Sequence, residues 1–244
     1  ADAEHHRTGR MQRHGITQRR SFMVMLAAVL LLAGCRSAPS QPVMSPTTQR
    51  VSLDSLAIPV SAEENRAVSF TNKQSAFYYT QTHRNDHPEH GFFSGFNIAG
   101  RRIFSDYRLI VAGAALDPQE VAAIVRPDAL IRTHPQGITE TLRLFDGQDL
   151  VEVEVSGAQG DLTLQLSGDT VTRVRSGQGI DEYTATQAGD SSAVDHIVVG
   201  RSGHRFLIAV GSSREAAREL FDQAVAAAPA WQEARSARLA DIIS

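Results

Sequence analysis

Cysteine is nearly absent from this 244-residue chain, with Cys35 as its single example. One cysteine excludes an internal disulfide framework and any zinc site built on cysteines. Aromatic residues are also few, at 6%, so a cluster of them carries weight. Neither sign of charge dominates. The formal net charge of -3 gives no electrostatic reason to expect nucleic acid as a partner. No apolar run reaches the roughly 20 residues that a transmembrane helix needs. What is present is a 42% hydrophobic composition, enough for one large all-β domain, or a domain with appendages, around a sizeable core.

Residues 1–10 (ADAEHHRTGR) contain no starting methionine and read as upstream read-through or a gene-boundary artefact, with Met11 as the natural start. Residues 11–35 then have the layout of a secretory signal. Arg13, Arg19 and Arg20 form its basic region, Phe22 to Ala33 is unbroken apolar sequence, and Gly34-Cys35 closes it. Leu32-Ala33-Gly34-Cys35 resembles a bacterial lipobox, in which the cysteine thiol is lipidated and becomes the mature N-terminus. Acyl chains on Cys35 would hold the protein at a membrane surface, each buried methylene contributing about 0.8 kcal/mol. Arg36 after the cysteine favours the outer membrane in a Gram-negative cell. The Arg19-Arg20 pair also fits a twin-arginine export motif, or an ordinary basic region that holds two arginines. Residues 36–50, rich in Pro, Ser, Thr and Gln without apolar period, read as an extended, solvated tether.

From Val51 the pattern is β throughout. Val68 with Phe70, Phe77 with Tyr79, and Tyr107 with Leu109 and Val111 alternate with polar or exposed neighbours. So do Leu142 with Leu144, Val151 with Val153 and Val155, and Leu162 with Leu164 and Leu166. Period two places one side of each strand on a core and the other in water. Turn signals such as Asp146-Gly147, Gly168-Asp169 and Ser202-Gly203 recur about every 8–12 residues, the spacing of an antiparallel meander packed as a sandwich. The expectation is an all-β fold, a large antiparallel β-sandwich over residues 51–211, interrupted by a short helical piece at Pro118 to Val125. Residues 212–244 change character. Ser212 and Glu215 fit a capping box ahead of a helix with Leu220, Phe221 and Val225 as its apolar stripe, ending at Pro229. A second helix follows, with Trp231, Ala234, Leu239 and Ile242 at helical spacing. These linker helices read as the truncated start of a further, catalytic domain that the chain lacks.

Candidate chemistry is sparse. His83, His87 and His90 stand near Asp86 and Glu89, but the spacing is loose and Pro88 prevents one helix from stacking the histidines; a polar loop with hydrogen-bonded histidines accounts for them better than a metal. Glu152 and Glu154 alternate with valines, the pattern of a solvated strand face. Ser202 and His204 fall in a hairpin turn, without the elbow of a serine hydrolase. No cofactor signature is present. The remaining candidate is an aromatic loop, where Phe92, Phe93, Phe96 and Asn97 lie among glycines at 91, 95 and 100. Rings beside a polar amide suit the apolar faces and hydroxyls of sugars. Equally, glycines in a β context mark tight bends, and the rings then fill a sandwich end or an interface.

The stretches Gly91–Asp117 and Arg132–Val155 (RTHPQGITETLRLFDGQDLVEVEV), within a pattern running from about Ala67 to Ile243, resemble the N-terminal β-sandwich of bacterial amylo-α-1,6-glucosidases, the glycogen-debranching-like glycoside hydrolases. Trehalase-like and rhamnosidase-like enzymes share the plan. The resemblance implies an α-glucan oligo- or polysaccharide as partner and hydrolysis of α-glucosidic bonds by carboxylates in a later (α/α)6 barrel. No catalytic residue therefore maps onto this chain. What the resemblance does imply is that the Phe92–Asn97 loop leans toward the sugar. Against it stands a free-standing envelope lipoprotein whose sandwich binds glycan or serves structure alone. The glycosidase reading expects an uncovered apolar patch at Trp231, Leu239 and Ile242, and the free-standing reading expects the helices to fold back over it.

Overall fold

The structure, a computed structural model, describes residues 51–83, 93–187 and 190–243. The lipobox cysteine, the tether, Phe92, His87 and His90 lie outside the described residues. The first described strand is β1 (Ile58–Val60), followed by β2 (Ala67–Thr71), β3 (Ala76–Gln81), β4 (Gly95–Ile98) and β5 (Arg101–Phe104). Next come β6 (Asp106–Val111), β7 (Ala114–Ala115), β8 (Ala122–Val125), β9 (Leu130–Thr133), β10 (Thr139–Leu144) and β11 (Leu150–Ser156). The last strands are β12 (Leu162–Ser167), β13 (Val171–Gly177), β14 (Ile180–Gln187), β15 (Asp190–Ser202) and β16 (Arg205–Gly211), before helix α1 (Arg214–Ile243).

Nine strands form one antiparallel sheet in the order β1-β8-β9-β10-β11-β16-β15-β14-β13. Two meanders thus meet where β11 pairs with β16. A four-stranded sheet, β2-β3-β4-β5, and a three-stranded sheet, β12-β6-β7, supply the facing layer. The fold is an all-β sandwich, as the period-two pattern predicts. Its main core takes Tyr78, Phe96, Phe104, Tyr107 and Leu164 from the small sheets, and Leu142, Val153, Ile197 and Ile208 from the long one.

The other face of the long sheet carries a second core. Leu150, Val198, Leu207 and Ala209 meet Ala217, Phe221, Ala224 and Ala228 of α1. Strand β16 is therefore apolar on both faces, and its alternation disappears into the run Phe206-Leu207-Ile208-Ala209-Val210, all buried. Gly200 makes the close approach possible: a Cβ there would stand 2.4 Å from the Phe221 ring.

Helix α1 corrects the expectation of paired linker helices. It is a single helix of 30 residues with Pro229 inside. Proline removes one intrahelical donor, and the carbonyl left without it is that of Val225, an exposed residue, which limits the cost. Packing on both sides then carries the helix through the proline. Ala224 and Ala228 sit in the sheet core before it. After it, Trp231 lies edge-on to Phe145 at 6.0 Å between centroids, and Arg235 and Arg238 both donate to Asp146. The cap also sits one residue later than read from sequence, since the Ser213 hydroxyl accepts from the Ala216 amide at 3.1 Å. The short helical piece shrinks to a 3-10 turn at Pro118–Glu120, with Ala122–Val125 a strand. None of the described helices is long and apolar enough to cross a membrane.

Two polar ties join the layers. Asn72, wholly buried, donates to the Gln148 carbonyl and to Asp149, and accepts from the Gln74 and Ala76 amides, so its amide is fully used. Arg132 on β9 donates to Glu140 on β10 at 2.6 Å and to the Thr82 and Gln81 carbonyls of the facing layer, each at 2.7 Å. Burial pushes the Glu140 carboxyl up, but Arg132 and His134 beside it together hold it below the ordinary carboxylate range. At the far end, edge strand β13 is almost wholly exposed and carries a register shift between Arg173 and Arg175.

Gly200→Ala is expected to cost about 1–3 kcal/mol in denaturant unfolding, and Phe221→Leu in the same chain to recover part of it. Non-additivity is the sign of direct contact; purely additive losses would refute it. Glu140→Gln strands a buried arginine and is expected to cost about 3–5 kcal/mol at neutral pH. Because the folded-state carboxyl is depressed, the wild-type contribution is present above its ordinary pKa and lost as pH falls through the lowered one. The gap between wild type and variant should narrow in acid, and a gap independent of pH would contradict this assignment.

Candidate ligand-binding cleft

Sheet parity decides where the aromatic residues go. On β3, Ala76, Tyr78 and Thr80 face inward, while Phe77 and Tyr79 are half-buried. The sequence reading had Phe77 and Tyr79 marking the core side; the core takes Tyr78 instead. On β4, Phe96 enters the main core with no exposure, 5.8 Å from the Phe104 ring. It belongs to packing and is withdrawn from the surface. Phe93 is 53% exposed, and Asn97 is buried beneath it.

Phe77, Asn97 and Arg102 stand side by side across β3, β4 and β5. A bulge on β5 creates this row: Phe96 pairs with Phe104 but Asn97 pairs with Arg102, leaving Ile103 as the extra residue. Both Ile103 and Phe104 can then be buried while Arg102 remains on the outer face. Gly95 permits the turn into β4, with φ +92° and Phe104 carbonyl oxygen only 1.9 Å from where a Cβ would lie. Asn97 Nδ2 donates to the Phe93 and Gly95 carbonyls, each at 3.0 Å, and fixes the backbone that presents the Phe93 ring.

The outer row forms one wall of a cleft of about 300 Å³, with Thr170, Thr186 and Gln187 opposite. The Thr186 amide donates to the Thr170 carbonyl at 3.2 Å, closing that second wall. Arg101, also on the lining, reaches Asp195 of β15 at 2.9 Å, so the small sheet is tied to the long one beneath the cleft. Arg102 approaches the highly exposed Asp169 at 3.8 Å. Apolar rings, guanidinium donors, an amide and threonine hydroxyls converge here, the mixture that small polar ligands with an apolar face require. The sequence signalled Phe93 and Asn97 by clustering. Phe77, Arg102 and Thr186 arrive from separate strands, and nothing in the sequence brought them together.

The other sequence candidates are structural. Glu152 is a correction: it is 1% exposed, not solvated. It lies on the face that α1 covers further along, between Arg143 at 3.1 Å and Arg205 at 3.5 Å. Burial pushes its carboxyl up despite both arginines. Glu154 is partly exposed and paired to Arg143 at 2.7 Å. The His83 ring lies within hydrogen-bond distance of Thr82 Oγ1 and the Val121 carbonyl. Among the described residues no group of three His, Cys, Asp or Glu side chains is placed to hold a metal. Ser202 ends β15 and His204 occupies the turn before β16.

Compared with known proteins, the chain matches no family model, no curated protein and no solved structure.

Asn97→Ala is expected to destabilise by about 1–3 kcal/mol, since it strips donors from carbonyls at a part-buried turn. Amide exchange at Ser94 to Phe96 should quicken. Unchanged melting and exchange would show that the turn does not depend on this amide.

Proposed function

We propose that the sandwich is a non-catalytic saccharide-binding domain of an exported protein held at the cell envelope through lipid on Cys35. The observation that carries this reading is the cleft that sets the exposed Phe93 and half-buried Phe77 against Arg101, Arg102, Asn97 and paired threonines. A pyranose offers C–H faces to rings and hydroxyls to guanidinium, amide and threonine groups, and a cleft of this size takes one or two such units. The sequence resemblance to debranching-type glycosidases supports an α-glucan as the saccharide.

Helix α1 favours a self-contained sandwich over the N-terminal domain of a glycoside hydrolase. Trp231 packs on Phe145, and the helix lies along the long sheet. The hydrolase reading is the second one. It is supported by the last turn, where Ile242 is 68% and Ile243 40% exposed, an apolar contact point for a neighbouring domain.

Calorimetric titration of the full chain with α-1,4- and α-1,6-linked gluco-oligosaccharides tests the reading. Binding is expected, weakened about 10-fold by Phe93→Ala, the equivalent of ~1.4 kcal/mol, with melting unchanged because Phe93 is exposed. Binding that is absent, or indifferent to Phe93→Ala and Phe77→Ala, would overturn it.

A further inference from the structure

A second cavity lies between the layers and shares no lining residue with the cleft. It holds about 180 Å³ between β3, β6, β9 and β10, with Thr80, Tyr107, Arg132, His134 and Glu140 among its walls. His134, just past β9, is 3% exposed, yet neither ring nitrogen makes a hydrogen bond. Its Nε2 stands 3.8 Å from Glu140 Oε2, beyond hydrogen-bond reach. The neighbouring Tyr78 hydroxyl is buried without a partner as well. Buried polar groups in native proteins are paired with protein, water or ligand, so a lining histidine whose two nitrogens make no hydrogen bond, one of them only near Glu140, marks a site for an occupant.

Size and charge narrow that occupant. The volume equals about six waters at ~30 Å³ each, below the ~300 Å³ at which drug-sized ligands begin. Arg132 and Arg108 balance Glu140 and Asp106 on the lining, which gives no net attraction for an ion. Arg132 has no free fork for an anion, because Nε, Nη1 and Nη2 already serve Thr82, Glu140 and Gln81. The Tyr107 hydroxyl donates to Glu140 and the Thr80 hydroxyl to the Gln81 carbonyl, which leaves the His134 imidazole and a lone pair on Thr80 for a ligand, beside the apolar Leu109, Leu116 and Pro118. We propose that this inter-sheet pocket binds a neutral polyhydroxylated molecule the size of one sugar ring, held by His134 and Thr80.

The proposal stands apart from the cleft and is tested apart from it. D-glucose is titrated into the labelled full chain while the His134 imidazole resonances are followed, with glycerol and sodium acetate as size and charge comparisons. Glucose should move them saturably, half-maximally near ~1 mM for so few atoms, and should do so in Phe93→Ala, whose cleft is impaired. By calorimetry in that Phe93→Ala background, His134→Phe should abolish glucose binding, and Leu116→Trp should abolish it by filling the pocket without touching the buried ion pair. His134 resonances that glucose leaves unmoved would overturn the proposal, whatever the cleft binds. So would acetate matching glucose, glycerol matching glucose, or binding that survives in a folded Leu116→Trp.

Discussion

The guanidinium of Arg132 is the charge on which the layers depend. It starts on β9 of the long sheet, pairs with Glu140 on the adjacent strand, and ends on the Gln81 and Thr82 carbonyls of the facing layer. A buried ion pair contributes little over an apolar pair of the same shape, but half of one is severely destabilising. The consequence is specificity of docking more than strength. Only one offset of the small sheet on the long one satisfies the arginine, its carboxylate and both carbonyls together. Asn72 imposes the same offset from another point, through Gln148 and Asp149. Between these ties the apolar core fills what they define.

The long sheet is sandwiched at its centre and single-faced toward its ends, and this gradient explains what was legible in the chain. Val151, Val153 and Val155, or Leu162 and Leu164, have water or polar neighbours on one side and advertise their strands by strict alternation. Strand β16 has apolar contacts on both sides, so its residues form a run with no period. Glu152 was misread for the same reason. Its parity is outward from the main core, but outward there means toward Arg143, Arg205 and the helix-covered face, not toward solvent. Pro229 likewise reads as a stop in isolation, whereas docking on the sheet overrides a local penalty. Tertiary contact, invisible to local pattern, decided each case.

The candidate cleft was half legible. A cluster of rings beside an asparagine in a chain poor in aromatics pointed to the turn that lines this cleft. It could not separate Phe93 from Phe96, because a bulge across the strand pair and the parity of β4 send them to opposite sides. Nor could it supply Phe77, Arg102 and Thr186, which sequence holds far apart and only sheet pairing assembles. His134 was silent altogether, since an idle imidazole is recognisable only once every neighbour is placed.

The two borders of the nine-stranded sheet bear on how the molecule behaves among its own kind. An unpaired border strand offers free amides and carbonyls to any chain that meets it. On β13 the offer is spoiled by Arg173 and Arg175 and by the register shift between them. On β1 the central residue is Pro59, which has no amide hydrogen to give. A sheet this broad is thereby kept from zipping onto a neighbouring copy, and close packing of many copies does not become fibre growth.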